Sequence, residues 1–226
     1  MIYFANPNSD AARDAMIDRR LGCITTPSQG NVTFPDEWDV IADNGCFGGR
    51  WEEGDWHRWL IGLSRSVRWA VAPDVYDPSG AACHQATAER WERYAPMMRR
   101  HGFTPAFVAQ VGCSPTNLPD DAEVVFLGGT DDYKLGRDGA SVAVEAKRRG
   151  CWLHMGRVNS WRRLTYADRI GCDSVDGTYI ARWPDTNLPK LLGWVDRLET
   201  KKAHPRLFPH TASTRPTRNS PMFSMN

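Results

Sequence analysis

Eight short apolar runs recur along the chain, at Ile2–Ala5, Cys23–Thr26, Asp39–Ala42, Trp69–Ala72, Pro105–Gln110, Val124–Leu127, Trp152–Met155 and Asp173–Val175. Each has the length of a strand. Several, such as Val124-Val125-Phe126-Leu127, are apolar at every position and lack the alternation of a half-exposed strand. Strands buried on both faces belong to parallel sheets covered by helices.

The stretches between these runs carry helical spacing and helix-end signals. One places Trp91, Tyr94, Ala95 and Met98 on a single face and finishes Arg99-Arg100-His101 before Gly102, a C-terminal cap pattern. A second ends Lys147-Arg148-Arg149-Gly150 in the same way. A third starts at Asn159 or Ser160, buries Leu164, Ala167 and Ile170, and stops at Gly171. The last begins near Asn187 and shows Leu188, Leu191, Leu192, Val195 and Leu198 at helical spacing. About eight strands alternating with helices predict a compact α/β (β/α)8 barrel of the TIM type, with a doubly wound open sheet as the rival. The 226 residues stand near the lower end of what such a barrel needs. The barrel is expected to span residues 1–198. Residues 199–226, rich in Pro, Ser, Thr and basic side chains, form a tail with little to bury and are expected to be mobile.

Composition changes this picture little. Hydrophobic residues at 41% and charged residues at 24% are an ordinary globular balance. No apolar run reaches the roughly 18–20 residues of a membrane span, so no membrane partner is expected. The N-terminal Met-Ile-Tyr-Phe-Ala-Asn-Pro lacks a basic segment followed by an apolar one, which argues against secretion and for a cytoplasmic protein. The six cysteines are scattered without a CxxC pair, so free thiols are expected rather than a disulfide framework or a zinc site.

Charge is more informative. The net value is only +1, yet seven basic residues and one acid lie between Lys147 and Arg169, and the tail from Lys201 adds five basic residues and no acid. A basic face formed by Lys147, Arg148, Arg149, Arg157, Arg162 and Arg163 would suit a polyanion. A solvated helix face beside a loose tail gives the same pattern.

Chemistry-bearing residues cluster after strands. Asp43 follows the third run, Asp74 the fourth and Asp176 the eighth; Gln110 closes the fifth, and Gly128-Gly129 follow the sixth. In a (β/α)8 barrel these positions converge on the C-terminal face, where active sites lie. No phosphate-binding GxxxxGK[ST], no strand-linked GxGxxG, no GxSxG elbow and no HExxH is present. What remains is carboxylate chemistry with no cofactor or metal expected.

Ordered motifs add a family resemblance. Asp43-Asn44-Gly45-Cys46-Phe47 resembles the Asp-Ser-Gly-Gly-Phe segment of tRNA-guanine transglycosylases. Val108-Ala109-Gln110-Val111-Gly112 resembles their Val-Gln-Gly strand end with one residue inserted, and Gly128-Gly129 their Gly-rich strand end. His154-Met155-Gly156, a helix, and then Gly171-Cys172-Asp173-Ser174-Val175-Asp176 resembles their Leu-Met-Gly…Gly-Val-Asp-x-Phe-Asp stretch. The likeness is greatest to the short phage-type, DpdA-like enzymes that place 7-deazaguanines in DNA; a phage protein would work in the host bacterial cytoplasm. The resemblance implies Asp176 as the nucleophile on the sugar C1′ and Asp43 as the base for the incoming purine. It implies Phe47 and Met155 as a sandwich around that purine. Asp74, Gln110 and the Gly128-Gly129 amides would read its edge, with Asn44 standing where the family has Ser.

Bland alternatives accompany these assignments. Asp43 in Asp-Asn-Gly and Asp176 in Asp-Gly-Thr are also turn sequences. Phe47 and Met155 have the composition of core residues, and His154 that of a packed histidine. The family's CxCxxC…His zinc site is missing, which moves the expected partner from tRNA to DNA. Its Pro-Thr-Arg after the nucleophile is replaced by Gly177-Thr178-Tyr179. A nuclease built on Pro73-Asp74 and Glu145-Ala146-Lys147 competes as another enzyme class, although Glu145 and Lys147 would diverge by about 200° on a helix. A barrel that binds DNA without catalysis is the non-enzymatic alternative.

Overall fold

The computed structural model describes residues 1–49, 51–63, 67–77 and 83–203. Eight parallel strands run in chain order: β1 (Ile2–Ala5), β2 (Gly22–Thr25), β3 (Val40–Ala42), β4 (Val67–Val71), β5 (Pro105–Ala109), β6 (Val124–Leu127), β7 (Trp152–Met155) and β8 (Ser174–Asp176). Each pairs with the next, and β8 pairs with β1 through Ile2–Ser174, Tyr3–Val175 and Phe4–Asp176. This closes the sheet. The fold is a (β/α)8 barrel, not the open sheet that the alternation also allowed.

The expected strands sit within two residues of the observed ones at each end. The helices are α1 (Asp10–Ile17), α2 (Glu53–Gly62), α3 (Cys83–Arg100), α4 (Asp131–Lys134), α5 (Arg137–Arg148), α6 (Trp161–Arg169) and α7 (Pro184–Ala203). Ser160 caps α6, its Oγ accepting the Arg163 amide. The last helix begins three residues before Asn187 and runs beyond Glu199 to Ala203. Residues 204–226 of the basic tail lie outside the described residues.

Strict alternation of strand and helix does not hold. Among the described residues, the connections β2–β3 and β5–β6 carry no α-helix. Between β2 and β3, a single 3-10 turn at Pro27–Gln29 precedes Val32, Phe34 and Trp38, which pack on the outer core where a helix would otherwise lie. Between β5 and β6, Leu118 and Ala122 are buried, and the Arg149 guanidinium holds the loop through the carbonyls of Pro115, Leu118 and Pro119. Omitting two helices is how so short a chain closes a barrel.

Side chains divide by strand alternation into two layers. Phe4, Ile24, Ile41, Trp69, Val71, Val108 and Phe126 fill the barrel interior. Tyr3, Phe107, Val125, Leu127, Leu153, Met155 and Val175 point outward against helical residues such as Met16, Trp56, Trp91, Leu164 and Leu191. Apart from the inward His154 and Ser174, both layers are apolar, which is why the strands show no polar face. Gly22 is needed for the inner layer: a Cβ there would stand 2.3 Å from the Phe4 ring.

Candidate active site

A cavity of about 330 Å³ opens at the C-terminal ends of the strands. Its floor is Ile24, Val71, Val108 and Phe126, and its polar wall holds Asp43, Asn44, Asp74, Arg157 and Asp176. The three aspartates come from the ends of β3, β4 and β8, so strand direction alone gathers them.

Asp43 is both a turn residue and a cavity residue. Its Oδ1 accepts the Gly45 amide at 2.7 Å, an Asx turn made possible by Gly45 at φ 75°. Burial pushes its carboxyl up to about 7 against the pull of that hydrogen bond, and the charges of Asp176 and Asp74 push the same way. A carboxyl held there exchanges protons at neutral pH. Asp74 is raised by burial as well, and is fixed by Asn44 Nδ2 at 2.9 Å and Gln110 Nε2 at 3.3 Å.

Asp176 closes β8. Its Oδ1 accepts the Arg157 amide at 3.2 Å and its Oδ2 meets His154 Nε2 at 2.9 Å. Arg157 adopts φ 60°, a conformation that costs a side-chain-bearing residue on the order of 1 kcal/mol. The strain aims its amide at Asp176 while its guanidinium bonds the Gly129 carbonyl and lies 4.5 Å from the Phe47 ring centre. Phe47 is half exposed at the mouth, and Tyr76 packs on it at 4.7 Å. Below, buried Lys134 reaches the Gly156 carbonyl at 2.9 Å, and burial lowers its ammonium to about 8.

Four expected residues need revision, and Gly129 keeps its place in the cavity wall. Met155 is fully buried in the outer layer and faces helices, because its neighbour His154 takes the inward position of β7. It does not sandwich a ligand with Phe47. Gln110 is also fully buried and does not line the cavity; its Nε2 bonds Asp74, Val75 O and Thr87 Oγ1, so it holds Asp74 instead of reading a ligand. Its Oε1 has no partner. Asn44 lines the cavity, yet both ends of its amide are engaged, by Ala72 O and Asp74 on one side and the Cys46 amide on the other. The Gly128 amide is used in the sheet, donating to Ala109 O at 2.9 Å. Gly129, at φ 71°, admits no Cβ: one would stand 2.7 Å from Gln110 Cβ.

The single basic face is corrected too. A helix that follows a strand runs back down the barrel, so the end of α5 lies at the opposite face from the cavity. Lys147, Arg148 and Arg149 are there, paired with Asp173 at 2.7 Å, Glu145 at 2.7 Å and Glu145 at 2.6 Å respectively. The same placement takes Glu145 and Lys147 away from Asp74, so the nuclease constellation does not form. Arg157, Arg162 and Arg163 stay together near the cavity, Arg163 Nη1 donating to the Arg157 carbonyl at 3.1 Å. Arg162, Arg163 and Arg169 line a groove along α6, where Arg163 also pairs with Asp131.

Tyr76, Asn159 and His154 had no signal from periodicity. Tyr76 and Asn159 lie in loops after strands, and only that position marks them. Among the described residues, no three His, Cys, Asp or Glu side chains converge as metal ligands do. All six cysteines are buried and unpaired. No helix of the described residues is long and apolar enough to cross a membrane.

No protein-family model and no curated protein matches the chain. Among solved structures it is similar to an aldolase, QR15, at 8% identity and a TM-score of 0.48, over 89% of this chain and 95% of that one. Tryptophan synthase from M. tuberculosis matches at 12% identity and a TM-score of 0.45, over 84% and 65% of the two chains. The PaMucR phosphodiesterase in its c-di-GMP complex matches at 13% and 0.39, over 65% and 62%. At these values the likeness adds nothing to the barrel topology already described.

Proposed function

We propose that the protein is a base-exchange glycosyltransferase that replaces guanine in DNA with a 7-deazaguanine through a covalent glycosyl-Asp176 intermediate. The observation that carries this reading is a pair of cavity carboxylates in unlike settings: Asp176 fixed by two donors at the end of β8, and Asp43 raised by burial to about 7. A carboxyl held near neutrality suits proton transfer, and a carboxylate fixed in place suits attack.

In the first displacement an Asp176 oxygen bonds C1′ and the C1′–N9 bond breaks. The electron pair leaves with guanine, which takes the Asp43 proton. In the second, Asp43 removes N9–H from the incoming base, N9 bonds C1′, and the Asp176 carboxylate is released. Two displacements retain configuration, as in retaining glycosidases. One purine replaces another, so no ATP is consumed. Phe47 and Tyr76 offer a stacking face for a flipped base. The α6 groove, with Arg162 and Arg169, and Arg157 at the cavity wall offer cations for the phosphates.

The test is incubation of labelled guanine with DNA and with tRNA in parallel, without ATP. Label is expected in DNA, with a covalent protein–DNA adduct visible by mass. Asp176→Asn is expected to lose both. Label entering tRNA alone would make RNA the substrate, and undiminished exchange by Asp176→Asn would overturn the mechanism.

A further inference from the structure

The polar contacts of the site do not end at Asp176. Behind it, a buried chain of polar groups crosses the barrel floor. Trp152 Nε1 lies 2.8 Å from Ser174 Oγ, Ser174 Oγ lies 2.8 Å from His154 Nδ1, and His154 Nε2 lies 2.9 Å from Asp176 Oδ2. Ser174 and His154 are both fully buried. The imidazole is enclosed by Phe4, Trp69 and Phe126, with ring centres at 6.2, 5.0 and 4.6 Å.

Proton counting fixes the direction of this chain. An indole Nε1 only donates, so Ser174 Oγ accepts from Trp152. Among the described residues, Ser174 Oγ meets Trp152 and His154, and a buried hydroxyl proton needs an acceptor. That proton therefore goes to His154 Nδ1. The imidazole proton is then on Nε2 and is donated to Asp176.

The geometry points to His154 as a positioning residue for Asp176, with Ser174 and Trp152 selecting its tautomer. This rests on the reading of Asp176 as nucleophile. A hydrogen bond to a carboxylate is stronger than one to the ester carbonyl that Asp176 becomes in the intermediate. The His154 donor accordingly favours the state in which Asp176 leaves C1′. Its contribution falls on breakdown of the covalent intermediate more than on its formation. Asp176 Oδ1, whose partner among the described residues is the Arg157 amide at 3.2 Å, is the oxygen left to attack.

The test compares Ser174→Ala, Ser174→Thr and His154→Gln with the unaltered protein in single-turnover exchange. Ser174→Ala is expected to slow adduct breakdown about 10- to 100-fold, the range for loss of a hydrogen bond to a charged group. Formation should be affected less, so adduct accumulates. Ser174→Thr, which keeps the hydroxyl, should restore breakdown. A second readout needs no activity: nitrogen-15 NMR of the imidazole, assigned with His154→Gln, should show Nε2–H in the unaltered protein and lose that preference in Ser174→Ala. Equal effects on formation and breakdown, no effect on either, or a proton on Nδ1 would overturn the inference. If Asp176→Asn retains exchange while the NMR result stands, the nucleophile assignment has failed and the relay has not.

Discussion

Replacing Asp43 by Asn should make the protein more stable and less active, and the gain should grow with pH. Asn keeps the oxygen that accepts the Gly45 amide, so the Asx turn survives. What disappears is a carboxylate that the folded chain holds at about 7 instead of the ordinary 3.8. The sign follows from linkage. A carboxyl raised on folding contributes stability below its unfolded value, and that contribution is lost as pH rises through the folded value. Above pH 7 the folded protein carries the full cost of the charge, about 4 kcal/mol at about 1.4 kcal/mol per pH unit. Asp43 borders a water-accessible cavity, and screening there reduces this to roughly 2–4 kcal/mol. At pH 4.5 the same linkage leaves about 1 kcal/mol.

Thermal melts of Asp43→Asn and the unaltered chain at pH 4.5 and pH 8 read this directly. For a domain of this size, the pH 8 difference corresponds to roughly 4–16 °C in Tm. A Tm at pH 8 equal to or below that of the unaltered protein would refute the raised carboxyl. So would a gain of the same size at both pH values, which would point to packing and not to charge. Exchange activity should fall in the same variant, because Asn neither gives nor takes the proton.

Other parts of the site give separate tests. Phe47→Ala, at a half-exposed side chain, should change stability by under about 1 kcal/mol yet raise KM about 5- to 100-fold with little change in kcat, the value of one stacked base. Arg162→Glu should weaken binding of a labelled single-stranded oligonucleotide and lower the salt dependence by about one phosphate contact, whereas Lys147→Glu at the far face should leave both unchanged. Anisotropy titrations across salt separate the two. Gly177→Ala would place a Cβ 2.2 Å from Tyr3 Oη and 2.7 Å from Val158 O, and should cost about 1–3 kcal/mol in urea unfolding.

The barrel was legible because its strands are apolar on both faces and end in punctuation. The same property concealed orientation. On β7 neither hydropathy nor burial says whether His154 or Met155 faces inward, since both layers are buried; the only clue was a polar ring inside an apolar run. The family resemblance favoured Met155, and the pleat favours His154. Asp43, Asp74 and Asp176 were legible from strand ends, whereas Gln110, at an equivalent strand end, turned behind Asp74. The basic run from Lys147 to Arg163 looked like one face because it is contiguous in sequence. Strand direction splits it, since a helix end and the next helix start lie on opposite faces of a barrel.

The inner layer explains why the two acids are unequal. Phe4, Trp69 and Phe126 fill the barrel beneath the cavity and keep water from its floor. Over such a floor a carboxyl rises even where an amide opposes burial, as Asp43 does against the Gly45 N–H. Asp176 stands over the same floor but receives both an amide and an imidazole N–H. A buried histidine in an aromatic box is a costly way to fill a barrel, and an apolar residue of similar volume would pack there without requiring Ser174 and Trp152 to satisfy it. Its position is accounted for by what it donates to. The floor that raises Asp43 to a proton-exchanging group also encloses the imidazole that meets Asp176, and the two halves of the proposed exchange draw on that single layer.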